Sequence, residues 1–298
     1  MHDRAHGPLL GLTVGDALGT TLEFTERGSL PHHAEMTGGG PFNLAPGEWT
    51  DDTAMALALA DSLISCSGFD PHDLATRFVR WWQQGAYSCT GSCFDIGMTT
   101  REALAHFVHT GEPYAGSTHP RTAGNGSLMR LAPVALFALH DVGRADQLAR
   151  DQSRVTHAAR QAVEACAYFA QLLREAILGQ PDVLRSRTWS GDPAIAAIAA
   201  GSWRHKARDQ IRSSGFVVDT LEAALWAVGS TTSFEEALIL AVHLGDDADT
   251  VGAVTGQLVG ALYGASAIPE RWLHQLAWRN EISEAADRLL ADARNGSS

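Results

Sequence analysis

The chain has 298 residues, with 22 Lys+Arg against 34 Asp+Glu and a formal net charge of −12 at pH 7. Hydrophobic residues make up 45 % and charged residues 19 %, a globular composition that excludes an intrinsically disordered chain. The acid excess argues against a nucleic-acid binder, which needs basic stripes, and requires an anionic ligand to arrive with cations or to meet backbone N–H groups.

The opening segment MHDRAHGPLL has no long apolar core and no cleavage-like end, so no signal peptide is expected and a cytoplasmic location is. In the stretch Gly15–Phe24, Glu23 lies between Leu22 and Phe24; buried there, it would need a metal, a hydrogen-bond partner or a proton, while an exposed helix end is the plainer alternative. Gly and Pro cluster at 37–47, and Trp49-Thr50-Asp51-Asp52-Thr53 then opens an apolar helix with Thr50 as N-cap. Asp70-Pro71-His72-Asp73 supplies a cap, a Pro at N1 and a first-turn acid for a helix that Gly85 can stop. Loops at 85–97 and 111–126 follow, each rich in Gly, and between them they hold Cys89, Cys93 and Asp95. The two cysteines have no second pair nearby and read as packing residues.

Gly126-Ser127 opens a predicted helix over 127–140, and His157 precedes or begins another over 156–178. Phe216 stands ahead of a helix whose capping box is Asp219-x-x-Glu222, either as a hydrophobic staple or as a platform for a flat ring, and Ser233-x-x-Glu236 repeats the box. Gly245-Asp246-Asp247-Ala248-Asp249-Thr250 opens the next helix. Residues 251–269 carry no charge, but Gly252, Gly256, Gly260 and Gly264 recur every fourth position. That smooth face fits a buried central helix better than a membrane span. Period-2 alternation is almost absent. The expectation is an all-α fold in a single domain over 1–298.

Each acidic pair alone is accounted for by the helix dipole, worth ~0.3–1 kcal/mol. Should the two helix starts face each other, Asp51, Asp52, Asp247 and Asp249 would share a small volume. Like charges ~4 Å apart at an effective dielectric near 20 repel by about 4 kcal/mol, so such a cluster needs raised pKa values or bound cations. An all-oxygen donor set selects hard ions such as Mg²⁺, Mn²⁺ or Ca²⁺, and this many carboxylates can hold two.

GDALGTTLEF, WTDDTAMALALA, SCFDIG, AGNGSLMRLAPVAL and GDDADTVGAVTGQLVGALYG, in that order over residues 9–264, resemble the ADP-ribosylglycohydrolase family, in particular the bacterial dinitrogenase-reductase-activating type. The resemblance implies an orthogonal multi-helix fold with a dinuclear Mg²⁺ or Mn²⁺ cleft that releases ADP-ribose from modified protein side chains. By similarity, Thr50, Asp51, Asp52 and Asp249 hold one ion. Asp247, Asp249 and Thr250 hold the other, with Glu23 close by. Asn125, Gly126 and Ser127 meet the diphosphate or ribose through backbone N–H groups, His157 lies along the ADP-ribose path, and Asp95 sits beside the scissile bond. Asp246 departs from the family, which commonly has Gly there.

Glu23 and Asp95 are then the candidate proton carriers, with acid and base not distinguished. The expected substrate is ADP-ribosyl-arginine on a protein and the product ADP-ribose. No membrane or nucleic-acid partner is expected, and the chain is expected to act as a monomer. Serine-linked ADP-ribose, a small ADP-ribosyl metabolite, or a non-catalytic ADP-ribose binder are the alternatives.

Overall fold

A computed structural model describes residues 1–29 and 32–295, and among these no strand occurs. The helices in chain order are α1 (His2–Gly19), α2 (Asp51–Ser65), α3 (Pro71–Gln84), α4 (Met98–Thr110), α5 (Ala132–Phe137), α6 (Val142–Thr156) and α7 (Arg160–Ile177). They continue as α8 (Pro193–Ala200), α9 (Val217–Gly229), α10 (Phe234–Val242), α11 (Ala248–Tyr263), α12 (Glu270–Gln275) and α13 (Arg279–Asn295). Their apolar faces meet in one continuous core that runs from Ala5 to Ala293. No described helix is long and apolar enough to cross a membrane.

The centre of the fold is the antiparallel pair α1 and α11. The glycine face of α11 meets a second stripe on α1, Gly7, Gly11, Gly15 and Gly19, so that backbone lies directly on backbone. A methyl group added at Gly11 would stand 2.2 Å from the Gly256 carbonyl oxygen, and one at Gly15 would stand 2.1 Å from that of Gly252. No side chain larger than hydrogen fits these contacts. The approach sets the C-terminal end of α1 against the N-terminal end of α11, where both carry acids.

Several predicted ends hold. Asp70 accepts the His72 and Asp73 N–H groups, Gly85 closes α3 in the left-handed conformation at φ 69°, and Ser233 accepts from the Glu236 N–H. Three do not. The segment expected as a helix over 127–140 is a run of turns up to Arg130, then the short α5, and Asp141 caps a new helix. The helix expected over 156–178 is broken at His157, which ends α6, because the 111–126 loop lays its backbone there: Gly116 N–H donates to Arg154 and Ser117 pairs with His157. Helix α9 starts at Val217, ahead of Asp219, since the Val217 N–H is taken by the Ala123 carbonyl. Asp219 lies in the first turn and accepts from Ser214 Oγ at 2.6 Å.

Candidate metal centre and substrate cleft

Asp16, near the end of α1, organises the start of α2. Thr50 occupies the N-cap position, but its hydroxyl caps nothing. Instead one Asp16 oxygen accepts the Thr50 N–H and Oγ–H, both at 2.9 Å, and the other accepts the Thr53 N–H at 3.1 Å and Oγ–H at 2.7 Å. A carboxylate from another helix thus does the capping that sequence assigns to Thr50. Asp16 was not among the candidates, since within α1 it reads as one polar residue in an apolar helix.

Thr50 Oγ also lies 3.3 Å from Asp52 Oδ2 and 3.4 Å from Asp249 Oδ2. Thr250 Oγ lies 3.4 Å from the same Asp52 oxygen. The first turn of α11 places Asp249 at the centre, its N–H 3.3 Å from Glu23 Oε2. Asn125 Nδ2 bridges Thr220 Oγ1 at 2.8 Å and Asp247 Oδ2 at 2.6 Å, which ties the 125–130 turns to the acidic loop.

The two acidic helix starts therefore do meet. Asp52 and Asp249 are almost fully buried, Asp51 and Glu23 nearly so, and Asp95 and Asp247 partly. Burial, and then the charge of Asp249, pushes Asp16 up to about 7. Asp247 rises to about 7 for the same two reasons. Asp95 rises to about 11 through burial and the neighbouring Asp51 and Asp249, while Glu23, Asp51 and Asp52 are also driven well up by burial first. Without counter-charge this cluster holds protons that ordinary carboxyls would release.

The donor set fits hard divalent cations. Oxygens of Asp16, Asp52 and Asp249 lie within 4.8 Å of one another, and so do those of Glu23, Asp247 and Asp249, with Asp249 common to both groups. Asp52 Oδ1 is buried without any hydrogen-bond partner, a costly state for a carboxylate oxygen that a cation would relieve. Cys89 and Cys93 belong to no such group among the described residues; burial pushes both thiols up to about 12, as expected of packing residues.

Glu23, Asp51, Asp95, Asp247 and Asp249 floor a cleft of about 540 Å³ lined also by residues 96–100, Gly124, Gly126 and His157, with Asp16 and Asp52 buried beneath it. His157 is buried in its wall, with Gly124 and Gly126 leaving room for the ring: methyl groups there would lie 3.2 Å from Nε2 and 2.8 Å from Cε1, respectively. Burial and the nearby Arg130 hold His157 down at about 3, so the imidazole is neutral. Arg130, fully buried, donates to Thr156 Oγ1 at 2.9 Å, and that hydroxyl lies 2.8 Å from His157 Nδ1. This chain of contacts fixes the ring with Nε2 facing the glycines. Neither Arg130 nor Thr156 is marked by its local sequence, because each is the other's partner across 26 residues.

The Ser127 side chain does not reach the cleft. It is fully buried, with Ser153 Oγ at 2.9 Å. Phe216 is not a staple either: it is half exposed and lines a neighbouring groove of about 880 Å³, which shares Phe24 and Asp246 with the cleft. Asp246 has φ 60°, a region that glycine enters freely, and its backbone pairs with Phe24 and Thr25. Glycine would adopt this backbone conformation without strain.

Fold and site together define an all-helical protein with a carboxylate-floored cleft suited to divalent cations. The family model for ADP-ribosylglycohydrolase matches residues 1–298. ADP-ribosylarginine hydrolase Tri1 of Pseudomonas putida (strain GB-1) is 49 % identical over 290 residues, 97 % of this chain and 78 % of that protein. ADP-ribosyl-[dinitrogen reductase] glycohydrolase of Rhodospirillum rubrum is 35 % identical over 300 residues, covering 98 % and 97 %. A solved structure of an ADP-ribosylglycohydrolase-related protein complex superposes with a TM-score of 0.88 at 44 % identity, over 98 % of both chains. The chain belongs to the ADP-ribosylglycohydrolase family.

Proposed function

We propose that the protein hydrolyses the N-glycosidic bond between ADP-ribose and arginine side chains of modified proteins, releasing ADP-ribose. The observation that carries this is the convergence of Glu23, Asp51, Asp247 and Asp249 on a cleft large enough for a nucleotide sugar, with Asp52 buried beneath it against Asp249. The arginine linkage follows the two relatives named ADP-ribosylarginine hydrolase Tri1, 49 % and 46 % identical. The continuous core supports a single domain.

In this reading Thr50, Asp51, Asp52 and Asp249 hold one Mg²⁺ or Mn²⁺, and Asp247, Asp249 and Thr250 hold a second, with Glu23 beside it. When bound, the ions supply Lewis acidity toward the ribose hydroxyls and toward water. Asp16 fixes Thr50 through its hydrogen bonds. Glu23 and Asp95, both facing the cleft, hold and move the proton that the arginine nitrogen gains and the attacking water loses. The Gly126 and Ser127 N–H groups meet the diphosphate, the Asn125 N–H being already given to the Gly215 carbonyl, and the neutral His157 turns Nε2 toward the substrate. Phe216 offers its ring along the adjoining groove to the base or sugar.

Chelator-stripped protein, given matched arginine- and serine-ADP-ribosylated peptides with and without Mg²⁺ or Mn²⁺, tests the proposal. Metal-dependent release of ADP-ribose from the arginine peptide is expected. Release from serine alone would overturn the linkage, and binding of ADP-ribose without any release would overturn the enzymatic reading.

A further inference from the structure

Away from the cleft, His2, His6 and Asp287 converge where the first turns of α1 meet α13. The two histidines are four residues apart on one face of α1, with ring centroids 4.4 Å from each other. Their Nε2 atoms point at the same Asp287 oxygen, at 3.2 Å from His2 and 2.9 Å from His6. We propose that this triad is a second metal site, for Zn²⁺ or a similar borderline transition ion, that clips α13 onto α1.

Geometry and donor chemistry carry the proposal. Tetrahedral ligands about 2.1 Å from zinc stand about 3.4 Å apart, so the observed spacings are short of that only by a few tenths of an ångström. Two histidines at i and i+4 on a helix are a spacing that zinc uses when a third ligand comes from elsewhere in the fold. Two imidazoles and one carboxylate favour Zn²⁺, Co²⁺ or Ni²⁺, whereas the all-oxygen cleft favours hard ions. Ten residues separate His6 from Asp16 on α1, about 15 Å along the axis, so neither site lends a ligand to the other. The His6 side chain is 14 % exposed, against 68 % for His2 and 55 % for Asp287. The seat is thus walled on one side and open on the other, where water can complete the coordination. As a bare surface cluster of hydrogen bonds the triad would contribute little to stability; an ion there ties two helices that are far apart in sequence.

The test uses untagged full-length protein with Mg²⁺ in excess to fill the oxygen site, titrated with Co²⁺ while the visible absorption is followed. Tetrahedral nitrogen-bound Co²⁺ absorbs strongly and octahedral oxygen-bound Co²⁺ weakly, so the band reports the triad alone. One equivalent is expected, bound more tightly than about 100 μM and displaced by Zn²⁺. His6→Gln and Asp287→Asn should each weaken it by more than the roughly 10- to 100-fold that loss of an outer-shell partner costs, with ADP-ribose release unchanged. Zn²⁺ should raise the melting temperature of the wild type and not of these variants. Absence of the band, or an affinity in both variants equal to that of the wild type, overturns the proposal. If His6→Gln does not fold, His2→Gln at the exposed position decides by the same criteria.

Discussion

Replacing Gly256 by Ala tests whether backbone contact between α1 and α11 builds the metal centre. The added methyl would lie 1.9 Å from the Gly11 carbonyl oxygen. Comfortable contact begins at about 3.5 Å, so the helices must part by roughly 1.5 Å or bend. Alanine returns roughly 0.5–1 kcal/mol through helix propensity, but overpacking a tight interface costs typically about 1–3 kcal/mol and sometimes more. The packing cost wins. The urea midpoint should fall with an unchanged slope. Mn²⁺ affinity should fall too, because Asp249 moves away from Asp16 and Glu23 by more than the ~0.5 Å that a ligand set tolerates. Gly143→Ala is the control: it lies on exposed helix, with the nearest other atom 3.6 Å from the new methyl, so it should be neutral or stabilising by up to about 1 kcal/mol. A Gly256→Ala protein as stable as the wild type, with the same metal affinity, would refute the reasoning.

Further outcomes follow from the site. Asp16 and Asp247 titrate near 3.8 when unfolded and at about 7 in the metal-free fold. Between those values the native state holds more protons than the unfolded chain, so metal-free stability should fall as pH rises. Cations bind the deprotonated form, so the Mg²⁺-induced rise in melting temperature should grow from pH 4 to pH 7, as calorimetry at matched ionic strength can show. Asp16→Asn leaves donors facing an amide NH₂, and should cost about 1–3 kcal/mol in denaturant unfolding together with weaker metal binding. Asp246→Gly relieves a left-handed backbone and should leave turnover within about twofold while gaining up to about 1 kcal/mol in stability.

The carboxylate constellation was legible because Asp51, Asp52, Asp247 and Asp249 all stand at helix starts, where acids are visible against apolar runs. The glycine face of α11 was legible for the same reason of spacing, whereas the matching stripe of Gly7, Gly11, Gly15 and Gly19 on α1 emerged only from the structure. What local reading could not supply was partnership. Asp16 caps a helix that begins 35 residues later, and nothing within α1 announces that. Ser127 turned inward because 126–130 are turns that wrap the motif around Ser153, a partner 26 residues away. His157 sits in a helix break that exists only because the 111–126 loop docks there. Phe216 faces outward because its backbone is held by the Gly124 segment. In each case a tertiary contact overrode a sound local preference.

The most direct measurement is ADP-ribose release from an arginine-ADP-ribosylated peptide by Asp249→Ala beside the wild type, at micromolar Mg²⁺ or Mn²⁺, with helicity checked by circular dichroism. Asp249 is common to both oxygen groups, so the variant should keep its helices, bind neither ion well and lose turnover. Near-normal turnover at micromolar metal would contradict a reaction centred on the carboxylates between α1, α2 and α11.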